Sequence, residues 1–306
     1  MGRYVVRRLL QMIPVFIGST LLIFLMVNVM GDPIAGLCGE RACDPATAAQ
    51  LKREFGLDKP VWQQYLTYMG NVFTGNFGTA FNGQPVTELM ATAFPVTIRL
   101  TVVAILFEIV IGITLGVVTG MRRGHPVDTS VLLFTLVVIS VPTFVTGLLL
   151  QLLLGIRWHW ISPSVRYGTI DELIVPGLVL ASVSLAYVTR LTRTSIAENK
   201  RSDYVRTAVA KGLPRRRVIV RHLLRNSLIP VVTFIGADIG ALMGGAIATE
   251  RIFNIHGVGF QLYQGILRQN TQTVVGFVTV LVLVFLVANL LVDLLYAVLD
   301  PRIRYA

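Results

Sequence analysis

Residues 203–212 read DYVRTAVAKG, at the centre of a 38-residue segment, 190–227, that carries eleven Lys and Arg. Hydrocarbon flanks this block on both sides, SLAYV at 184–188 and LIPVVTFIGADIGALMGGAIA at 228–248. A basic, polar block between two such runs sets the question of the fold. An apolar run of about 20 residues is long enough to cross the bilayer core as a helix. A chain that leaves one such run for water and then enters another has crossed a membrane twice.

Working outward, six runs reach that length: roughly 9–30, 100–120, 131–155, 173–189, 228–249 and 274–299. The first is too long for a signal-peptide core, and no small-residue cleavage site follows it, so it is expected to remain as a span. Only 14% of the residues are charged while 54% are apolar, against roughly 25% charged in soluble domains. The expected fold class is all-α: a single polytopic membrane domain over 1–306 with six transmembrane helices. The net charge of +11 does not point to nucleic acid, because no basic surface lies beside stacking aromatics in a soluble domain.

The charge is read by topology. With the N-terminus inside, the inner segments 1–8, 121–130, 190–227 and 300–306 hold 18 Lys and Arg against 4 acids. The outer segments 31–98, 156–172 and 250–273 hold 8 against 9 acids. The positive-inside rule then places both termini in the cytoplasm. Cys38 and Cys43 fall on the outer side, in LCGERACDP. An outward-facing pair can oxidise to a small disulfide loop, and two unrelated thiols are the alternative. The long outer segment, 31–98, carries short amphipathic helices: Asp44-Pro45 is a start signal, Gly56 a stop, and Lys59-Pro60 a break. Beyond the break, Val61, Tyr65, Tyr68 and Met69 recur at helical spacing.

Two spans carry glycine at every fourth position: Gly112, Gly116 and Gly120 in the second, Gly236, Gly240 and Gly244 in the fifth. Small residues four apart share one helix face and let two backbones approach closely, so two tight seams are expected. Three acids lie within spans, where an ionisable residue is a functional candidate by default. Glu108 stands four residues before Gly112 and shares the glycine face, which assigns it to packing. Asp238 lies about 200° around the helix from Gly236 and Gly240, faces away from the seam, and is the candidate for lining a polar path. Asp293, near the inner end of the sixth span, is expected to pair with Arg302 or Arg304.

No catalytic constellation is present in the sequence. None of the four lysines ends a Gly-rich phosphate loop in Lys-Ser or Lys-Thr, and no His, Cys or carboxylate cluster has metal-ligand spacing. No nucleophile–base pair is suggested. The chain is expected to be a non-enzyme without metal or bound cofactor, and any nucleotide energy comes from a partner.

Topology alone requires only positive charge in 190–227, yet the segment holds more. A helix, TRLTRTSIAENKRSDYVRTAVAKG, ends at Gly212 as a C-cap; Leu213 and Pro214 follow, then a second helix, RRRVIVRHLLRNSLIP. Tyr204, Val205, Ala208 and Val209 form an apolar patch flanked by Arg206 and Lys211. This elbow reads as a plug for a partner's cleft; the alternative is a solvated loop that grips anionic lipid through Arg215, Arg216 and Arg217.

The elbow, DYVRTAVAKGL followed by RHLLRNSLIP, resembles the EAA loop of permease subunits of ATP-binding-cassette importers, in the form of their peptide and nickel branch. The likeness continues in MVNVMGDP, FGLDKPVWQQY, GGAIATERIFNIHGVG and LLYAVLDPRIRY, and covers nearly the whole chain. The long first outer loop is similar to the B-type permeases of dipeptide and oligopeptide systems. The resemblance implies a type I importer permease in the bacterial plasma membrane. Its implied partners are a homologous second permease, two ATPase subunits that bind ATP and Mg, an extracytoplasmic solute-binding protein, a peptide substrate and membrane lipid. It also implies that Asp203, Tyr204, Arg206, Ala208 and Ala210, with Lys211, Gly212, Leu213 and Arg215, couple to the ATPase. The sequence departs from the family in places. Arg206 stands where the general motif begins with Glu, with Asp203 nearby as a substitute. Arg225 occupies the motif's closing proline position, and His256, Gln269 and Asn270 replace the common Pro and Arg-Asp. Two rival functions remain: the same machine carrying nickel or another small ligand, and a secondary transporter with Glu108 or Asp238 carrying protons.

Overall fold

The computed structural model describes residues 2–30, 44–54, 58–80 and 82–299. Cys38, Cys43, Gly56, Arg302 and Arg304 lie outside the described residues. Among those described there is no strand, only an isolated bridge between Thr79 and Pro85. The helices are α1 Gly2–Met30, α2 Pro45–Glu54, α3 Val61–Phe73, α4 Val86–Phe107 and α5 Ile113–Met121, the last two joined by a π-turn, Glu108–Gly112. Then come α6 Pro126–Ser140, α7 Thr143–Leu150 with a π-helical end Gln151–Arg157, α8 Ile174–Asn199 and α9 Asp203–Ala210. The chain closes with α10 Arg215–Arg217, a π-turn Val218–Leu224, α11 Arg225–Ser227, α12 Ile229–Ile252, α13 Val258–Leu267 and α14 Thr271–Leu299.

Val5–Val27, Val86–Met121, Ile174–Asn199 and Thr271–Leu294 are each long and apolar enough to cross a membrane. Two bent pairs, Pro126–Ser140 with Thr143–Arg157 and Arg215–Ser227 with Ile229–Gly244, raise the number to six if each is one span. The sequence suggested an unbroken third span over 131–155; the structure turns it by 98° between α6 and α7. Pro142 is the cause. It offers no N–H and disfavours the helical region for the residue before it, so Val141 takes extended backbone at φ −95, ψ 123.

Lipid tails are as apolar as leucine, so helices in a membrane associate through close packing more than through hydrophobic burial. The glycines make that packing possible. A Cβ on Gly112 would lie 2.9 Å from Val188 of α8 and one on Gly120 2.7 Å from Ile196, while one on Gly116 would collide with Thr192. In α12, Gly236 meets Val292 of α14 and Gly240 meets the Phe285 ring, but Gly244 has nothing within 4 Å. The second seam is therefore two glycines long, not three. A buried core forms where α4, α8 and α12 converge, around Leu100, Val103, Ala104, Val179, Leu180, Leu242 and Ala246. At the opposite flank of α4, Val86, Met90 and Ala93 pack with Val258, Leu262 and Phe277 of α13 and α14.

Helix α3 packs on α1 and α14. Tyr65 shares a hydrogen bond with Thr20 of α1 (2.9 Å) and packs edge-on against Phe24, while Tyr68 shares one with Thr279 of α14 (2.8 Å). Burial pushes the Tyr68 hydroxyl up to about 12. Of the positions read as one helical face, Tyr65 and Met69 are buried and Val61 is exposed.

Candidate functional site

The elbow is built from a turn, not from one long helix. The sequence suggested a continuous helix from residue 189 to Gly212; the structure ends α8 at Asn199 and restarts at Asp203. Asn and Ser side chains compete for backbone groups and so favour such breaks. Here Asn199 Nδ2 donates to the Ser195 carbonyl (2.9 Å), Ser202 Oγ donates to the Asn199 carbonyl (2.5 Å), and the Tyr204 hydroxyl donates to Asn199 Oδ1 (2.7 Å).

Helix α9 ends in a Schellman motif. Gly212 N–H donates to the Val209 carbonyl (2.9 Å) and Leu213 N–H to the Ala208 carbonyl (3.3 Å). This geometry needs a left-handed residue after the cap, and Gly212 supplies it at φ +69. A Cβ there would meet nothing within 4 Å, so the demand for glycine comes from backbone conformation alone. Pro214 then starts α10, and the chain turns back to α12 through a 45° bend.

The four-residue apolar patch read from the sequence is divided by the fold. Val205 and Ala208 are buried with Ile196, Val218 and Leu223, and Val117, Met121 and Leu213 pack against them. They root the elbow on the C-terminal ends of α5 and α8. Tyr204 and Val209 stay exposed at 37% and 61%. Asp203, Arg206, Ala210, Lys211 and Arg215 are exposed beside them, and Asp203 and Arg206 make only a loose pair at 3.9 Å. Lys200 Nζ donates to the Met121 carbonyl (2.9 Å) and Ser227 Oγ to the Ser195 carbonyl (3.4 Å), tying both flanks of the elbow to its root. Just above, Arg193 grips the buried Asp128 through two hydrogen bonds of 2.5 and 2.7 Å. The arrangement is a knob with a packed, hydrogen-bonded base and a mixed aromatic, aliphatic and cationic crown.

The intramembrane acids fall in three places. Glu108 is fully buried at the first position of the π-turn. Asp238 turns away from the glycines of α12 and is half-buried, within electrostatic reach of Glu108. Asp293 pairs with Arg8 of α1, at 2.6 Å from Nη2.

A fourth acid escaped the sequence reading. Glu250, wholly buried near the C-terminal end of α12, accepts from the Thr97 hydroxyl of α4 (2.6 Å) and from Phe260 N–H of α13 (2.9 Å). Thr97 in turn accepts from Val258 N–H at 2.8 Å. Gly257 lies directly over the pair, since a Cβ there would strike both Glu250 and Thr97. The only signal was its place at the end of an apolar run, within GGAIATERIFNIHGVG. The next residue, Arg251, is exposed and lies over the Tyr263 ring at 4.7 Å and the Phe260 ring at 5.7 Å, a cation–π stack. His256 stands edge-on to Phe260 at 4.7 Å.

Gln269 and Asn270, set apart in sequence from the common Arg-Asp, form the next turn. Gln269 takes a left-handed conformation at φ +53, and Asn270 Oδ1 caps α14 by accepting from Thr273 N–H at 2.8 Å, a role open to Asn and Asp alike. On the same side, Glu172 accepts from the Tyr167 and Gly168 N–H groups at 2.9 Å each. Burial works to raise its carboxyl, but the N–H donors of residues 166–169 outweigh it and hold it below the usual carboxylate range.

Residues 112–305 match the family described as binding-protein-dependent transport system inner membrane component, and residues 1–101 match the N-terminal part of the same class of protein. Among curated proteins, the dipeptide transport system permease protein DppB of Escherichia coli (strain K12) is 38% identical over 337 residues, covering 100% of this chain and 99% of its own. DppB of Lactococcus lactis subsp. cremoris (strain MG1363) is 36% identical, covering 99% of this chain and 100% of its own. The glutathione transport system permease protein GsiC of Pectobacterium atrosepticum is 35% identical over the full length of both chains.

Proposed function

This chain belongs to the family of binding-protein-dependent transport system inner membrane components, and on that premise we propose that it is the permease subunit of an ATP-driven importer of di- and oligopeptides. It is a multi-pass protein of the bacterial inner membrane. In this reading six spans cross the membrane and both termini are cytoplasmic, which the charge asymmetry supports. The chain pairs with a homologous permease, two ATPase subunits and an extracytoplasmic solute-binding protein. ATP and Mg are held by the ATPases. The names of the relatives support peptides as cargo.

The observation that carries the reading is the construction of the elbow. Its base is buried against α5 and α8, its turn is set by a left-handed glycine, and its crown is exposed. A coupling part must be stiff, because a loose loop would absorb the displacement it should transmit. Closure of the ATPases pushes on the crown at Tyr204, Arg206, Val209 and Lys211, and the push passes through Ala208, Leu213 and Arg215 into α12. Asp238, half-buried on that helix, is the candidate polar residue beside the translocation path.

The test is a cross-link. Val209→Cys, made in the chain co-purified with its co-encoded subunits, should form a covalent adduct with an ATPase subunit under a short thiol–amine reagent. Adducts with lipid or with other permease chains alone would remove the elbow from the ATPase interface.

A further inference from the structure

Among the described residues, three carboxylate oxygens within the bundle are buried without a hydrogen-bond partner: Oε1 and Oε2 of Glu108 and Oδ2 of Asp238. Glu108 is at 0% exposure and begins the π-turn Glu108–Gly112. Such single-turn widenings cluster at functional sites. Asp238 shares a helical strip with Val231, Ile235, Leu242 and Ala246, and that strip packs against Val103, Ala104 and Ile105 of α4. That contact brings the two carboxyls within electrostatic reach of each other.

Two ionised carboxylates are a poor fit to that place. Each is an acceptor only, so neither offers the other a donor, and like charges at contact in an apolar bundle cannot both persist. No cation compensates them: among the described residues the ion pairs are Arg8–Asp293, Arg193–Asp128 and Arg206–Asp203. Groups on the neighbouring elements are committed elsewhere. On α8, Tyr187 lies against Phe234, Arg190 donates to Thr135 and Arg193 to Asp128. On α4, Arg99 donates to the Gly168 carbonyl. Glu250 is bonded to Thr97 and Phe260, Arg251 lies on Tyr263 of α13, and Asp293 of α14 holds Arg8.

We propose that Glu108 and Asp238 bind one proton between them, forming a carboxyl–carboxylate hydrogen bond that latches α12 to α4 inside the membrane. One proton taken from water supplies the missing donor and cancels one of the two charges, with no other bond made or broken. Its loss leaves two negative charges facing each other and drives the helices apart. The proton site rests on this geometry alone; its bearing on transport rests on the coupling role of the elbow, because α12 is the helix into which the elbow runs.

Infrared spectroscopy on the full chain in lipid nanodiscs tests the site without requiring transport. At neutral pH the wild type should show a protonated-carboxyl C=O absorption that is absent from the Glu108→Gln/Asp238→Asn double variant, which keeps both shapes. The single amide variants serve as a second comparison if the double one does not fold. The melting temperature of the wild type should fall as pH rises, relative to that of the amide variant. A wild-type spectrum with no carboxyl band sensitive to these substitutions would overturn the proposal. So would a wild type that lacks the band and is stabilised by added sodium or calcium, which would make this a metal-cation site.

Discussion

The two ends of α12 are cornered in different ways. At the N-terminal end, the inner one in the proposed topology, the elbow turns on Gly212, roots itself in an apolar cluster and leaves its charges exposed. At the C-terminal end, the outer one in that topology, the chain turns on Asn254 and then on Gln269, both left-handed at φ +53, and buries a carboxylate with its donors. All three turns close with the same pair of backbone bonds. Ile255 N–H reaches the Glu250 carbonyl and Asn270 N–H the Gly265 carbonyl, as Leu213 N–H reaches Ala208. The inner corner is made to present a surface, and the outer corner is made to hold α4, α12 and α13 together.

That contrast predicts a gradient of consequences. Glu250→Leu should have the largest effect, because it strands the Thr97 hydroxyl and the Phe260 N–H in a buried site, at about 1–3 kcal/mol for each group left unpaired. The yield of monodisperse protein on size exclusion should collapse, whereas substitutions at the exposed Arg206 or Lys211 should leave it unchanged. Normal yield from Glu250→Leu would show that the outer corner is no lock.

Between the two corners, the glycine seam gives a middle-sized test. Gly240→Ala drives a methyl into the Phe285 ring, and overpacking of this kind costs about 1–3 kcal/mol. Gly244→Ala meets open space and should gain up to about 1 kcal/mol from helix propensity. Melting curves of the two variants should therefore shift in opposite directions. Equal shifts would mean that the α12–α14 contact does not depend on close approach.

Much of the inner corner was legible in the sequence because its signals are local. Gly212, Leu213 and Pro214 punctuate the chain within three residues, and the charge around them is plain. The break at Asn199–Ser202 was missed because side chain–backbone competition leaves no gap in the polar pattern. The bend at Pro142 had its signal in Val141-Pro142, which the length of the apolar run concealed. The outer lock was invisible for a different reason. Glu250, Thr97 and Phe260 come from three helices, and no periodicity links them. The same holds for Glu108 and Asp238: the turn of Asp238 away from its glycines could be read from spacing, but the helix waiting on that side could not.

Smaller effects sharpen the outer half of the comparison. Because the folded state holds the Glu172 carboxyl below its ordinary range, its contribution is complete above the unfolded carboxylate pKa and is lost as pH falls through the folded value. Glu172→Gln should flatten the acid side of a melting-temperature profile, and an unchanged profile would detach this carboxylate from the loop. The smallest change is expected from Gln269→Gly, which relieves a left-handed non-glycine residue worth roughly 1–2 kcal/mol, offset in part by unfolded-state entropy. Its melting point should stay level or rise slightly; a clear fall would mean that the Gln269 side chain holds the turn.

Whether the elbow transmits motion because it is stiff can be asked with Gly212→Val. A β-branched side chain opposes the left-handed conformation by roughly 1–2 kcal/mol, while the space around it is open, so the chain should still insert and assemble. In proteoliposomes holding the permease with its partner subunits, ATP hydrolysis and uptake of a labelled dipeptide are measured together. Basal hydrolysis should continue with uptake lost or uncoupled from it; uptake at the wild-type ratio to ATP consumed would mean that transport does not need a stiff elbow.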